Sequence, residues 1–257
     1  MTYQTLLVSQ TAGLAVITLN RPEVMNALNA PLRAELRAAL HTAIGSARAL
    51  VLTGAGRAFC SGQDLSDASL ADIDLEATLR DDYEPLLRLL QGCPIPTLAA
   101  VNGAAAGAGA NLALACDVVI ASESASFSQA FTRIGLIPDA GGTWTLPRQI
   151  GTARAMGAML FADRVSARQA ADWGMIYEAV PDAGFAARWQ DRAMALATGP
   201  TAAFAALKLA LRASAGNSFD AQLALEAQLQ GICGQTADFR EGVAAFLEKR
   251  PPRFSGA

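Results

Sequence analysis

Asp139 is the side chain in this sequence with the most chemical potential, because it is a carboxylate in an otherwise apolar, glycine-flanked segment, Gly135–Thr145 (GLIPDAGGTWT). Two readings are open for it. Asp after Pro and before Gly-Gly is ordinary turn chemistry. A carboxylate removed from water is also a stronger base than a solvated one, because burial disfavours its charged form. Two glycine-rich loops, 52–65 (LTGAGRAFCSGQDL) and 101–112 (VNGAAAGAGANL), each follow a short apolar strand. Neither is a phosphate loop, since the GxxxxGK[ST] pattern is absent. Their glycines serve either tight strand–helix packing or close approach of backbone N–H groups to a ligand. Two N–H donors from separate loops are the parts of an oxyanion hole. Asp64, in GQDL, carries the same two readings, and its neighbours favour a brace for the first loop.

Other chemistries lack their residues. His41 is the single histidine and sits in a helical pattern, so His-dependent triads are excluded. The four cysteines, Cys60, Cys93, Cys116 and Cys233, have no CxxC spacing, so neither a zinc site nor a redox pair is expected. The net charge of -3 offers no positive field for nucleic acid or an acidic membrane surface. Residues 98–116 are uncharged over a membrane-spanning length. Their Asn, Gly and Ala content instead predicts a buried strand, a turn and a buried helix. The opening residues carry no signal-peptide pattern, which gives a cytoplasmic expectation.

The elements that must position these loops alternate. Leu6–Ser9 and Leu14–Leu19 read as a hairpin around Gly13, and Pro31 opens a helix with Leu32, Leu36 and Leu40 on one face. Strands are predicted at Ala49–Thr53, Thr97–Val101 and Val118–Ala121, with helices at Ala77–Gln91 and Ala108–Ala115. That order predicts an α/β fold with crossover helices. Beyond Gln149 the pattern is almost wholly helical. Ser166 with Gln169 forms a capping signal, Thr201 starts a helix, and Thr236–Leu247 repeats Phe239, Val243 and Leu247. We divide the chain into an α/β core, 1–195, and a helical region, 196–257, whose apolar surface predicts self-association.

NRPEVMNALN, LTGAGRAFCSGQDL, PTLAAVNGAAAGAGANLALACDVVIAS and FTRIGLIPDAGGTWTLPR, in this order, resemble the crotonase (enoyl-CoA hydratase/isomerase) superfamily along nearly the whole chain. GQDL, AAGAGA, GLIPDAGGTW, RAMG and WGMI draw it toward the branch of isomerases that open the ring epoxide of phenylacetyl-CoA in phenylacetate catabolism. The resemblance implies a spiral of ββα units with a helical region that forms a trimer or a dimer of trimers. It implies an acyl-CoA substrate whose thioester oxygen is held by the N–H groups of Gln63 and Ala108. Coenzyme A would enter as part of the substrate, with no metal or redox cofactor. Asp64, Leu65, Ser66, Gly109, Asn111 and Phe131 would complete the substrate-binding set. Hydratases of the family place glutamates where Asn111 and Phe131 stand, so water addition is disfavoured here. Asp139 matches the carboxylate of the isomerases. A fatty-acid Δ3-Δ2 enoyl isomerase or hydratase, and a non-catalytic acyl-CoA-binding protein, are the alternatives. Lys249, Arg250 and Arg253, at the end of the last helix, either face solvent or close over the coenzyme A nucleotide.

Overall fold

The computed structural model describes residues 2–66 and 74–257. Strands β1 (Leu6–Thr11) and β2 (Leu14–Leu19) form the expected hairpin, with Leu6 opposite Leu19. From β2 the main sheet continues in parallel through β3 (Ala49–Gly54), β5 (Thr97–Val101), β7 (Val118–Ser122) and β10 (Glu178–Val180). A smaller sheet holds β4 (Ala58–Cys60), β6 (Ala104–Ala106), β8 (Ser126–Ser128) and β9 (Val165–Ser166), the last antiparallel. Each turn of the chain thus contributes one strand to the main sheet and the next to the small one: β3 then β4, β5 then β6, β7 then β8. This is the spiral of ββα units.

The central strands β3, β5 and β7 are buried on both faces, which is why they read as continuous apolar runs. Ala49, Val51, Leu98, Ala100 and Ile120 face Phe185, Ala193 and Ala197 of α8 (Asp182–Ala197). Leu50, Leu52, Ala99, Val101 and Ala121 face the interior of the spiral. There they meet Leu32, Leu36 and Leu40 of α1 (Ala30–Ser46), a helix capped by Asn29, whose side chain accepts from Leu32 N–H at 3.0 Å. The stretch 98–116 is β5, β6 and the buried α4 (Ala108–Leu114). No single helix among the described residues is long and apolar enough to cross a membrane.

The helix expected over 77–91 is divided. Its parts are α2 (Leu75–Thr78), a π turn over Leu79–Tyr83, and α3 (Glu84–Gly92). Glu84 N–H bonds Leu79 O five residues back, and Pro85 has no N–H with which to continue the α pattern. The region beyond Gln149 is less uniformly helical than expected, because β9 and β10 lie within it. Strands of two and three residues are too short to show a period-two pattern.

After α5 (Gly142–Ile150), α6 (Thr152–Phe161), α7 (Ala167–Asp172) and α8, the chain ends in α9 (Thr201–Ser214), α10 (Phe219–Cys233) and α11 (Ala237–Glu248). Residue 195 falls inside α8, which packs on the sheet, so the all-helical part begins at α9. Ser166 Oγ accepts from Gln169 N–H at 3.2 Å, as the capping signal implies, and Thr236 Oγ1 likewise caps α11, accepting from Phe239 N–H at 3.0 Å. The last residues fold back on α11, where Asp238 accepts from the Ser255 and Gly256 amides at 2.7 and 2.9 Å. Arg250 is committed to this tail. Its guanidinium grips Glu241 at 2.6 and 3.0 Å, so it is not a free cation for a nucleotide.

Candidate active site

The loop after β4 runs beside the turn between β6 and α4. Gly62, at φ +94°, is pressed against the end of β6. A Cβ built on it would lie 2.8 Å from Ala106 O and 3.5 Å from the Ala108 nitrogen. A parallel bridge to Leu28 fixes the next residue, with Leu28 N–H donating to Gly62 O (2.8 Å) and Asp64 N–H to Leu28 O (3.2 Å). The bridge uses the groups on either side of Gln63, and alternation along an extended chain turns the Gln63 N–H the other way. Ala108 is the first residue of α4, where an N–H has no acceptor within the helix. Both residues line a cavity of about 590 Å³.

Asp139 lines the same cavity. It lies between the 3-10 turn Ala130–Ile134 and α5. Burial pushes its carboxyl up to about 6, and Oδ1 is buried with no hydrogen-bond partner. Its main chain, by contrast, is tightly held. Asp139 O accepts from Gly142 N–H at 2.8 Å and from Asn111 Nδ2 at 2.8 Å. Asn111 Oδ1 in turn accepts from Gln129 Nε2 at 2.8 Å. The second residue of the Gly141-Gly142 pair is required by this contact, since a Cβ there would lie 2.3 Å from Asn111 Nδ2.

A second network holds the Gln63 side chain. Its Oε1 accepts from Tyr83 Oη at 2.6 Å and from Arg33 Nη1 at 3.0 Å, with the guanidinium 5.0 Å from the centre of the Tyr83 ring. Arg33 also pairs with Asp82 at 2.8 Å. Burial raises the Tyr83 phenol well above its ordinary value, so the hydroxyl stays protonated and donates. Tyr83, Arg33 and Gln129 were not visible as site residues in the sequence. Their partners lie 18 to 30 positions away, and the only local hint was Tyr83 as the single aromatic in the stretch 77–91.

The structure brings Gln63, Leu65, Ala108, Phe131 and Asp139 together around the cavity, with Leu65 exposed at its edge and Phe131 buried in its wall. The remaining expected residues adjoin it without lining it. Asn111 is 2% exposed and stands behind the Asp139 loop. Gly109 packs on Cys60. Asp64 braces the loop as its sequence context suggested. Ser66 and then Arg21 hold its carboxyl below the usual range, through bonds of 2.7 and 2.8 Å. Ser66 itself is exposed and bonded to Asp64. Among the described residues no cluster of His, Cys, Asp or Glu could hold a metal ion.

Comparisons with known proteins agree with this fold. The family profile described as Enoyl-CoA hydratase/isomerase matches residues 9–257. A Rhodobacter capsulatus protein named "Probable enoyl-CoA hydratase" is 66% identical over 256 residues, covering 100% of both chains. The 1,2-epoxyphenylacetyl-CoA isomerase of Escherichia coli is 48% identical over 250 residues, covering 95% of each. The crystal structure of an enoyl-CoA hydratase from Bacillus anthracis superposes with a TM-score of 0.92 at 34% identity, covering 99% of this chain and 100% of that one.

Proposed function

The chain belongs to the enoyl-CoA hydratase/isomerase family, and we propose that its reaction is isomerisation of an acyl-CoA rather than addition of water. The observation that carries this reading is that Asp139 is the only carboxylate among the described residues lining the cavity. Hydration needs groups that orient and deprotonate a water. The two positions where the family's hydratases carry glutamate hold Asn111, which is turned to the Asp139 carbonyl, and the apolar Phe131. One carboxylate is sufficient to take a proton from one carbon and return it to another.

In a 3-enoyl thioester, Asp139 takes a proton from C2 while the electron pair spreads onto the thioester oxygen. The Gln63 and Ala108 N–H groups receive that charge. Losing one such donor costs about 3 kcal/mol of transition-state stabilisation. Asp139 then returns the proton at C4, leaving the double bond between C2 and C3 and the carboxylate regenerated. No metal or redox cofactor enters, and coenzyme A is part of the substrate.

For the acyl group we favour ring-1,2-epoxyphenylacetyl-CoA, converted to its seven-membered oxepin isomer. The 48% identity to the E. coli isomerase supports it. A fatty-acid Δ3-Δ2 enoyl isomerase or hydratase is the second reading, favoured by the name of the 66% identical relative. The purified protein is offered the ring epoxide, a 3-enoyl-CoA and crotonyl-CoA, with products read by mass and ultraviolet absorbance. Oxepin formation, lost about a thousandfold in Asp139→Asn with acyl-CoA binding within about threefold, is the expected result. Crotonyl-CoA hydration at a rate comparable to isomerisation would overturn it. We further propose self-association as a trimer or dimer of trimers, supported by the apolar residues exposed on α11.

A further inference from the structure

Gln63 brings more than its main chain to the cavity wall. Both hydrogen bonds of its side chain among the described residues end on one atom, Oε1. Chemistry decides the orientation of the carboxamide, since the Arg33 guanidinium has donors only and must face the oxygen. The Tyr83 hydroxyl, kept protonated by burial, donates to the same atom. Nε2 is left with no partner among the described residues, and it is accessible rather than sealed in the core. Two donors on Oε1, one of them charged, polarise the amide and strengthen its N–H groups as donors. The hydroxyls on the cavity wall are already committed. Ser61 donates to Val24 O at 3.3 Å, Thr78 to Asp74 O at 2.9 Å, and Tyr83 to Gln63. Arg133 bonds Ala162 O at 2.7 Å from an exposed position.

We propose that Gln63 Nε2 donates to an oxygen of the acyl group, selecting acyl groups that carry an acceptor beside their reacting carbons over hydrocarbons of the same shape. The inference rests on reading the cavity as the thioester site. The thioester oxygen and the ring oxygen of the epoxide are joined by a short run of carbons. The backbone nitrogen and Nε2 of a glutamine are joined in the same way, so one residue reaches both oxygens. A 3-enoyl chain offers this donor nothing, and a site built to hydrogen-bond an oxygen discriminates against the analogue that lacks it. The side chain of Gln63 is thereby a specificity determinant, separate from the role of its main-chain N–H.

The test is calorimetric titration of the full-length protein with two unreactive thioesters of one shape. Cyclohexylacetyl-CoA and tetrahydropyran-2-ylacetyl-CoA differ only in a ring methylene against a ring oxygen. The wild type is expected to bind the ether about fivefold more tightly, the worth of one neutral hydrogen bond. Gln63→Glu keeps an oxygen for Arg33 and Tyr83 while exchanging Nε2 for an acceptor, and Gln63→Met removes the carboxamide. Both retain the main-chain N–H. Each is expected to bind the carbocycle at least as tightly as the ether, where a merely structural role would weaken both thioesters alike. Gln63→Glu leaves Arg33 and Tyr83 bonded and carries the test if Gln63→Met does not fold. A wild type without preference for the ether, or a preference that survives Gln63→Glu, overturns the inference alone. Failure of the wild type to bind either thioester overturns the thioester site and the inference together.

Discussion

Asn111 Nδ2 donates to the main-chain carbonyl of Asp139 at 2.8 Å, so the side chain that replaces a hydratase glutamate holds the backbone of the proposed base. In the carboxyl group of Asp139, Oδ1 is buried without a partner, and burial outweighs the group's contact with its own backbone amide. Fixing the backbone while leaving Oδ1 without a partner preserves both its aim and its basicity. A hydrogen bond to the carboxylate would lower the pKa that burial raises.

Asn111→Ala removes that support and leaves the Gln129 amide without its acceptor. Stability should fall by about 1–3 kcal/mol, the usual cost of an unsatisfied buried polar group. The kcat should fall at least about tenfold with KM within about threefold, since misaimed chemistry and not lost binding is the defect. Urea midpoints and steady-state kinetics measure the two effects. An unchanged kcat beside the lost stability would reduce Asn111 to a structural brace.

As the proposed base, Asp139 should set the pH dependence. As a base it must be ionised, so kcat/KM should rise through a midpoint near pH 6 and stay flat above it. The stability effect runs the other way. The folded-state pKa lies above the unfolded value, so the native state binds this proton more tightly. It pays no penalty below about pH 4 and the full penalty above about pH 6, on the order of 2 kcal/mol after allowing for partial exposure. Asp139→Asn should therefore melt above the wild type at pH 8, with the gap closing at pH 4. A variant that melts below the wild type at both pH values would contradict the desolvated carboxyl.

Tyr83→Phe deletes the 2.6 Å bond to Gln63 Oε1 but keeps the ring. Arg33 still reaches that oxygen at 3.0 Å, so the loop should survive with less restraint on the residue proposed to supply one thioester donor. The expected kcat loss is about tenfold with KM nearly constant, and the melting temperature should move little. A rise in KM with kcat intact would mean that Tyr83 contacts the acyl group and does not position Gln63.

Much of this fold was legible because burial and periodicity write it into the chain. The β3, β5 and β7 runs, the helix start at Pro31 and the Ser166 cap stand where local rules place them. The small sheet was not legible. Its strands have two or three residues, and β4 and β6 sit inside the same glycine-rich loops that suggested backbone donors. Within the site, the resemblance carried Gln63, Ala108 and Asp139 to one cavity. It could not reveal that Asn111 faces a carbonyl or that Tyr83 reaches Gln63, because each contact depends on side-chain direction across distant elements.

The α11 helix frames the prediction about assembly. Its buried residues are Asp238 and Ala245, while Phe239, Val243, Phe246 and Leu247 are exposed, Phe246 by 82%. At positions i, i+4, i+7 and i+8 these four form one stripe, the arrangement of a helix that expects a partner on that side. They also line a groove of about 420 Å³ with Phe254 and residues of α9 and α10. A stripe of this kind in water is a self-association surface or an aggregation hazard, and a closed ring of identical chains removes it without leaving free ends. The wild type should sediment as a trimer or hexamer at micromolar concentration. Phe239→Glu with Phe246→Glu should shift it toward monomer, since two carboxylates would have to be desolvated at the contact. The secondary structure of each chain should persist by circular dichroism, because neither side chain belongs to the core. A wild-type chain that remains monomeric at micromolar concentration would show that the stripe serves something other than a second copy.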